Sequence, residues 1–206
     1  MADGAVGDLA ETVAKPGAVI LARHGQPALS RRVMLSADQY REWWADYEIG
    51  GLTEGQSPPQ RLIEAAQRAG FIIASTRLRS VETASALCGG RAFAEDALFI
   101  EAPLPPPHWP SWLKLSPRLW GVVSRFWWWV FDHHDQQESR SQAEVRADEA
   151  ARQLIALAAG GQDVLVVAHG FFNTMVGLAL RRQGWRCVED GGFAYWSARR
   201  FELSQP

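Results

Sequence analysis

The sequence predicts an α/β fold: a three-layer sandwich with a mainly parallel central sheet flanked by helices, and a Trp-rich helical insertion as a lid. Three observations predict it. Residues 18–22 and 164–168 are unbroken apolar runs, as expected of strands buried on both faces. Segments with helical spacing alternate with these runs, the order that builds parallel sheets. Several helical segments open on a Ser-x-x-Gln or Ser-x-x-Glu capping signature.

Taken in order, the first strand ends abruptly in Arg23-His24-Gly25. Ser36 and Gln39 form a capping box before Tyr40, Trp43, Trp44 and Tyr47, which recur at helical spacing until Gly50-Gly51. A second box, Ser57 with Gln60, puts Pro58 at the first helical position of a helix that buries Leu62, Ile63 and Ala66. Residues 71–74 read as an interior strand leading through Ser75-Thr76 into a helix that ends near Cys88, and a short strand is expected over residues 97–101. An insertion spans about 103–138. Within it Ser116-Pro117 starts a helix whose apolar stripe is Leu119, Val122, Val123, Phe126 and Val130. A third box, Ser141 with Glu144, opens a helix through Leu154, Ile155 and Leu157. The strand over 164–168 ends in His169-Gly170 and feeds a helix to about Arg182, and residues 193–203 close the sheet as an edge strand.

The chain has 206 residues, 47% of them hydrophobic and 21% charged, enough for one full-sized core. Residues 1–16 read as a flexible tail without the basic start and apolar core of a signal peptide, and residues 17–206 as a single domain. A net charge of −2 points away from nucleic acid as a partner. Cys88 and Cys187 are far apart and read as free thiols in a reducing compartment, so a cytoplasmic location is expected. Oligomeric state has no signature.

In a parallel sheet the carboxyl ends of the strands share one rim, and ligands bind there. That rim receives Arg23-His24 from the first strand, Arg79 from the helix after the second, Glu101 from the third and His169 from the fourth. A lone histidine at a strand end is commonly a hydrogen-bonded structural residue. Two, each followed by glycine and each ending a buried run, shift the reading toward chemistry. The set suits a phosphoryl group. Guanidinium forks match phosphate oxygens, the helix opening at Gly170 offers its amide-bearing end, and a neutral imidazole is a competent nucleophile. The glycines would let backbone approach the ligand.

These residues also resemble a known family. Arg23-His24-Gly25, Gly51-Leu52-Thr53-Glu54, the segment from Ser75 through Arg79 to Thr83-Ala84, and Val167-Ala168-His169-Gly170 are similar, in order, to the motifs of the histidine phosphatase (phosphoglycerate mutase-like) superfamily. The resemblance implies phosphate-monoester hydrolysis without a metal or other cofactor. It makes His24 the nucleophile that carries a phosphohistidine, Arg23, Arg79 and His169 the phosphate clamp, and Glu101 the proton donor, with Glu54 and Glu138 as alternative carboxylates. The partner is then a small phosphate ester, with or without an apolar group. Gln26-Pro27, and the absence of Gly-x-Trp-Glu-Gly after Glu101, depart from the mutase pattern. A mutase-type phosphotransferase and a non-catalytic phospho-ligand binder are the alternatives.

Six of the ten tryptophans fall between Trp109 and Trp129. Three readings stay open for that insertion: a lid over the sheet, the wall of an apolar substrate pocket, or a peripheral membrane contact, the last not favoured. Asp132-His133-His134-Asp135 reads as a polar helix stop rather than a metal site, since neighbouring helical side chains diverge by about 100°.

Overall fold

In a computed structural model, which describes residues 15–204, six strands lie in the order β3-β2-β4-β1-β6-β5. The strands are β1 (Val19–Arg23), β2 (Phe71–Ala74), β3 (Ala94–Glu95), β4 (Val164–Ala168), β5 (Trp185–Asp190) and β6 (Ala198–Leu203). β1 to β4 pair parallel, and β6 runs antiparallel to both β1 and β5. The helices are α1 (Ala37–Ile49), α2 (Gln60–Arg68), α3 (Leu78–Cys88), α4 (Pro117–Phe131), α5 (Arg140–Ala158) and α6 (Gly170–Arg182).

Side chains of a strand alternate between the sheet's faces, and both faces here are covered. Val19, Leu21, Val164 and Val166 pack with Leu154 of α5 and Phe172, Val176 and Leu180 of α6. Ile20, Ala22, Leu165 and Val167 pack on the other face with Leu62 and Ala66 of α2 and Ala84 and Leu87 of α3. Burying each of the larger side chains contributes about 1.5–3 kcal/mol. A smaller cluster, Ala37, Tyr40 and Trp120, ties α1 to the first half of α4. The β1–β4 register sets Arg23 opposite Ala168, so His24 and His169 leave the sheet side by side.

Several sequence expectations are corrected. Residues 97–101 are not a strand: the Asp96 side chain accepts a hydrogen bond from Leu98 N and turns the chain into a 3₁₀ turn, Ala97–Phe99. Glu101 therefore sits on a loop. α2 begins at Gln60 with no side-chain cap, because Pro58 precedes Pro59 and is held extended. The capping box of α5 is Ser139 with Gln142, two residues before the one expected. Residues 193–203 form a strand only from Ala198, and that strand is internal. The edge is β5, which the sequence reading missed because Trp185 alone of its residues is buried.

The largest correction concerns α4. Leu119, Val122, Phe126 and Val130 are each more than half exposed, and Trp120 and Trp128 face inward instead. Indole surfaces outweigh the aliphatic stripe, and both indole N–H groups find acceptors: Trp120 donates to Leu35 O (2.7 Å) and Trp128 to Glu138 O (3.1 Å). α4 thus leans on α1 and inserts Trp128 into the core beside α6. Apart from Lys15 and Pro16, the tail expected over residues 1–16 lies outside the described residues.

Candidate active site

The rim over β1 and β4 gathers four of the expected side chains. The His24 and His169 rings meet edge to face with centroids 5.2 Å apart, and both are buried. His24 Nδ1 lies 2.7 Å from Gly25 O. A carbonyl only accepts, so Nδ1 carries the proton and the Nε2 lone pair is left without a hydrogen bond among the described residues. His169 Nδ1 lies 3.3 Å from Arg79 Nη2, which only donates; its Nε2–H therefore donates to Ser75 Oγ at 2.9 Å. Burial, then the charges of Arg79 and Arg23, holds His24 well below the usual imidazole range. Burial and Arg79 do the same to His169. Both rings are neutral at pH 7.

Arg79 is fully buried, a costly place for a charge unless it is partnered. It donates to Tyr47 O (2.8 Å) and Glu48 O (3.2 Å), at the electronegative end of α1, and to the Glu48 carboxylate (2.8 Å). Glu48 also pairs with Arg77. Arg23 donates to Phe193 O and stacks on Tyr195, 4.4 Å from its ring centroid. The Nε–H groups of Arg23 and Arg79 are buried without an acceptor among the described residues, which leaves two guanidinium donors unanswered beside His24.

Glu101 completes the set from its loop. It accepts from Phe172 N (2.8 Å) and Phe171 N (3.4 Å) in the first turn of α6. The helix end that the sequence suggested for phosphate is therefore occupied by Glu101. The glycines also do other work than expected. A Cβ on Gly25 would stand 2.5 Å from the Trp196 ring, and one on Gly170 would press on Arg23 at 3.3 Å, so these glycines accommodate protein side chains. Thr83 Oγ1 accepts from Gly25 N at 2.9 Å and Glu82 accepts from Leu52 N at 2.6 Å, fastening the signature loop to α3. Of the alternative carboxylates, Glu54 is exposed and Glu138 is paired with Arg146, and neither lines the site.

Arg23, His24, Arg79, Glu101 and His169 open into a cavity of about 590 Å³, a size that suits a small organic ligand. Its walls were not anticipated. Tyr40, Trp43, Trp44 and Tyr47 come from α1, Phe171 from α6, and Phe193 and Tyr195 from the loop before β6. α4 contributes Pro117, Arg118, Gly121 and Arg125 and none of its tryptophans, so the insertion lines the cavity without the Trp triplet. The helical spacing of Tyr40, Trp43, Trp44 and Tyr47 points to a helix and not to the wall it forms. Its signal was that so large an aromatic face follows an active-site strand directly. His133 turns its Nε2 toward Pro106 O (3.2 Å), and among the described residues no three His, Cys, Asp or Glu side chains converge as a metal site. Among them, too, no helix is long and apolar enough to cross a membrane.

The sequence profile described as histidine phosphatase superfamily (branch 1) matches residues 19–186. The chain belongs to that superfamily. Membership supports a phosphatase activity in general terms. No match is found among the curated proteins. Among solved structures, this histidine phosphatase chain is similar to the product of open reading frame Rv3214 from Mycobacterium tuberculosis, with 20% identity, TM-score 0.54, and 91% of this chain and 96% of that one covered. It is similar to the mycobacterial glucosyl-3-phosphoglycerate phosphatase Rv2419c, with 17% identity, TM-score 0.54 and coverage of 91% and 97%. It is also similar to phosphoserine phosphatase from Entamoeba histolytica, with 17% identity, TM-score 0.52 and coverage of 81% and 80%. At these identities the likeness establishes a shared fold.

Proposed function

We propose that this histidine phosphatase hydrolyses a phosphate monoester through a phosphohistidine on His24. The observation that carries the reading is His24 itself: neutral, with Nδ1–H committed to Gly25 O, its Nε2 lone pair unengaged, and the buried, unanswered Nε–H groups of Arg23 and Arg79 beside it. Nε2 attacks phosphorus as the ester P–O bond breaks, and the departing oxygen takes the proton of the Glu101 carboxyl group. The Glu101 carboxylate then takes a proton from water as that water's oxygen attacks phosphorus. The N–P bond breaks, its electron pair returns to Nε2, and inorganic phosphate leaves. Arg23 and Arg79 answer the charge on the phosphoryl oxygens. His169, whose neighbour Arg79 it already touches, gains affinity for a proton once a phosphoryl dianion arrives and can then donate to it.

The test is phosphate release from p-nitrophenyl phosphate. Wild-type protein turns it over; His24→Ala lowers the rate by at least about a thousandfold, and Glu101→Gln slows it to a lesser degree. A His24→Ala variant that keeps its turnover would overturn the reading.

A further inference from the structure

The far end of the cavity holds groups that a phosphate does not use. Tyr40 is fully buried, lines the cavity, and its hydroxyl has no hydrogen-bond partner among the described residues. Burial keeps the phenol protonated, so it is an O–H donor awaiting an acceptor. Space beside it is left by Gly121, in mid-helix: a Cβ there would stand 3.5 Å from Arg125 Nη1 and 3.9 Å from Tyr40 Oη. Arg125 gives one long bond to Gly121 O (3.4 Å) and lies over Phe171, 5.3 Å from its centroid, on the side of the cavity where Phe171 meets Glu101. Arg31 donates to Tyr47 Oη (2.7 Å) and lies 5.6 Å from the centroid of Tyr195, so it stands toward the phosphate end.

Charge makes the surplus plain. Arg23, Arg31, Arg79, Arg118 and Arg125 line the cavity, and Glu101 is the one acidic residue among its lining. A phosphate monoester brings about two negative charges, which answer Arg23 and Arg79. Arg31 and Arg125 have no counter-charge among the described residues. Between the two ends runs an aromatic wall, the stacked rings of Tyr47, Trp43 and Tyr40, with successive centroids 5.0 and 5.8 Å apart. The Tyr47 ring lies 4.6 Å from the Arg79 guanidinium and so marks the phosphate end. Tyr40 precedes it by seven residues on α1, which sets the two ends about 10 Å apart.

We propose that Tyr40 Oη and Arg125 form a second anion-binding subsite. The substrate class is then a phosphate monoester of an elongated alcohol that carries a carboxylate or comparable acidic group about 10 Å from phosphorus. The inference rests on the phosphatase reading for the position of the phosphate. The second anion belongs to the leaving group, beyond Glu101.

Non-hydrolysable phosphonates test it without depending on turnover. Calorimetric titration compares biphenyl-4-ylmethylphosphonate with its 4′-carboxy derivative on wild-type protein and on Arg125→Gln and Tyr40→Phe. The carboxylate is expected to tighten binding at least about tenfold in wild type, with the gain lost in Arg125→Gln and reduced several-fold in Tyr40→Phe. The Tyr40→Phe change removes only an unpartnered hydroxyl and keeps the ring stack, so a folding defect does not mimic the result. Equal affinity of the two phosphonates in wild type, or a gain that survives both substitutions, overturns the subsite and leaves the phosphatase reading standing. Failure of wild-type protein to bind either one while it hydrolyses p-nitrophenyl phosphate also overturns it. Failure of both binding and hydrolysis brings down the phosphatase reading, and the subsite with it.

Discussion

The two ends of the cavity are built by different forces. At the phosphate end directional bonds fix each group: His24 by Gly25 O, His169 by Ser75, Arg79 by Tyr47 O and Glu48, and Glu101 by the amides of α6. At the far end the wall is an aromatic stack, Trp43 and Tyr40 backed by Trp120, anchored by indole hydrogen bonds from Trp43 to Ser30 O and from Trp120 to Leu35 O. Bonds of the first kind hold atoms in place for chemistry and tolerate little change. Stacking of the second kind stabilises a surface without fixing each atom on it. Phosphoryl recognition and leaving-group recognition are therefore separable, and substitutions should affect the two ends in different ways.

The largest effect expected is on stability at the far wall. Trp120→Ala removes a fully buried indole that stacks on Tyr40 and should cost about 3–5 kcal/mol in urea unfolding. A loss below about 1 kcal/mol would mean that α1 does not depend on α4. Next comes Arg79→Lys, which keeps the charge but cannot reproduce a fork shared among Tyr47 O, Glu48 O and the Glu48 carboxylate. About a hundredfold loss in kcat/KM for p-nitrophenyl phosphate is expected; a loss of only a few-fold would show that charge alone suffices there.

The smallest effect is a pH dependence. His24 and His169 have folded-state pKa values held below the ordinary 6.5, so below that pH the unfolded chain binds protons that the folded chain refuses. Stability is unaffected by these groups above about pH 7 and falls as pH drops through 6.5, by up to about 1.4 kcal/mol per pH unit for each histidine. Urea midpoints at pH 7.5 and 5.5 check this, and His169→Asn should flatten the slope. An unchanged slope would remove His169 from the set of buried neutral rings.

The sequence showed the phosphate end well because its signals are local. A fully buried run such as Val164–Ala168 that ends in His169-Gly170 announces both a strand and its exit residue. Glu48 was not legible: its importance comes from Arg77 and Arg79, some thirty residues away, which only the folded chain brings to it. The inward face of α4 was ambiguous, because a helix apolar on most sides has no single stripe and the decision fell to which indoles could find acceptors. Overlapping signatures, Ser139 with Gln142 and Ser141 with Glu144, explain the shifted start of α5.

One consequence follows from the central position of β1. Its partners are β4 and β6, drawn from residues 164–168 and 198–203. The strand that delivers His24 is synthesised before either sheet neighbour, with residues 24–163 lying between it and β4. Pairings of such large sequence separation slow folding. On a ribosome the histidine pair would therefore form late, and a nascent chain arrested before β4 would carry Arg23-His24-Gly25 with neither His169 nor the loop of Tyr195 beside it.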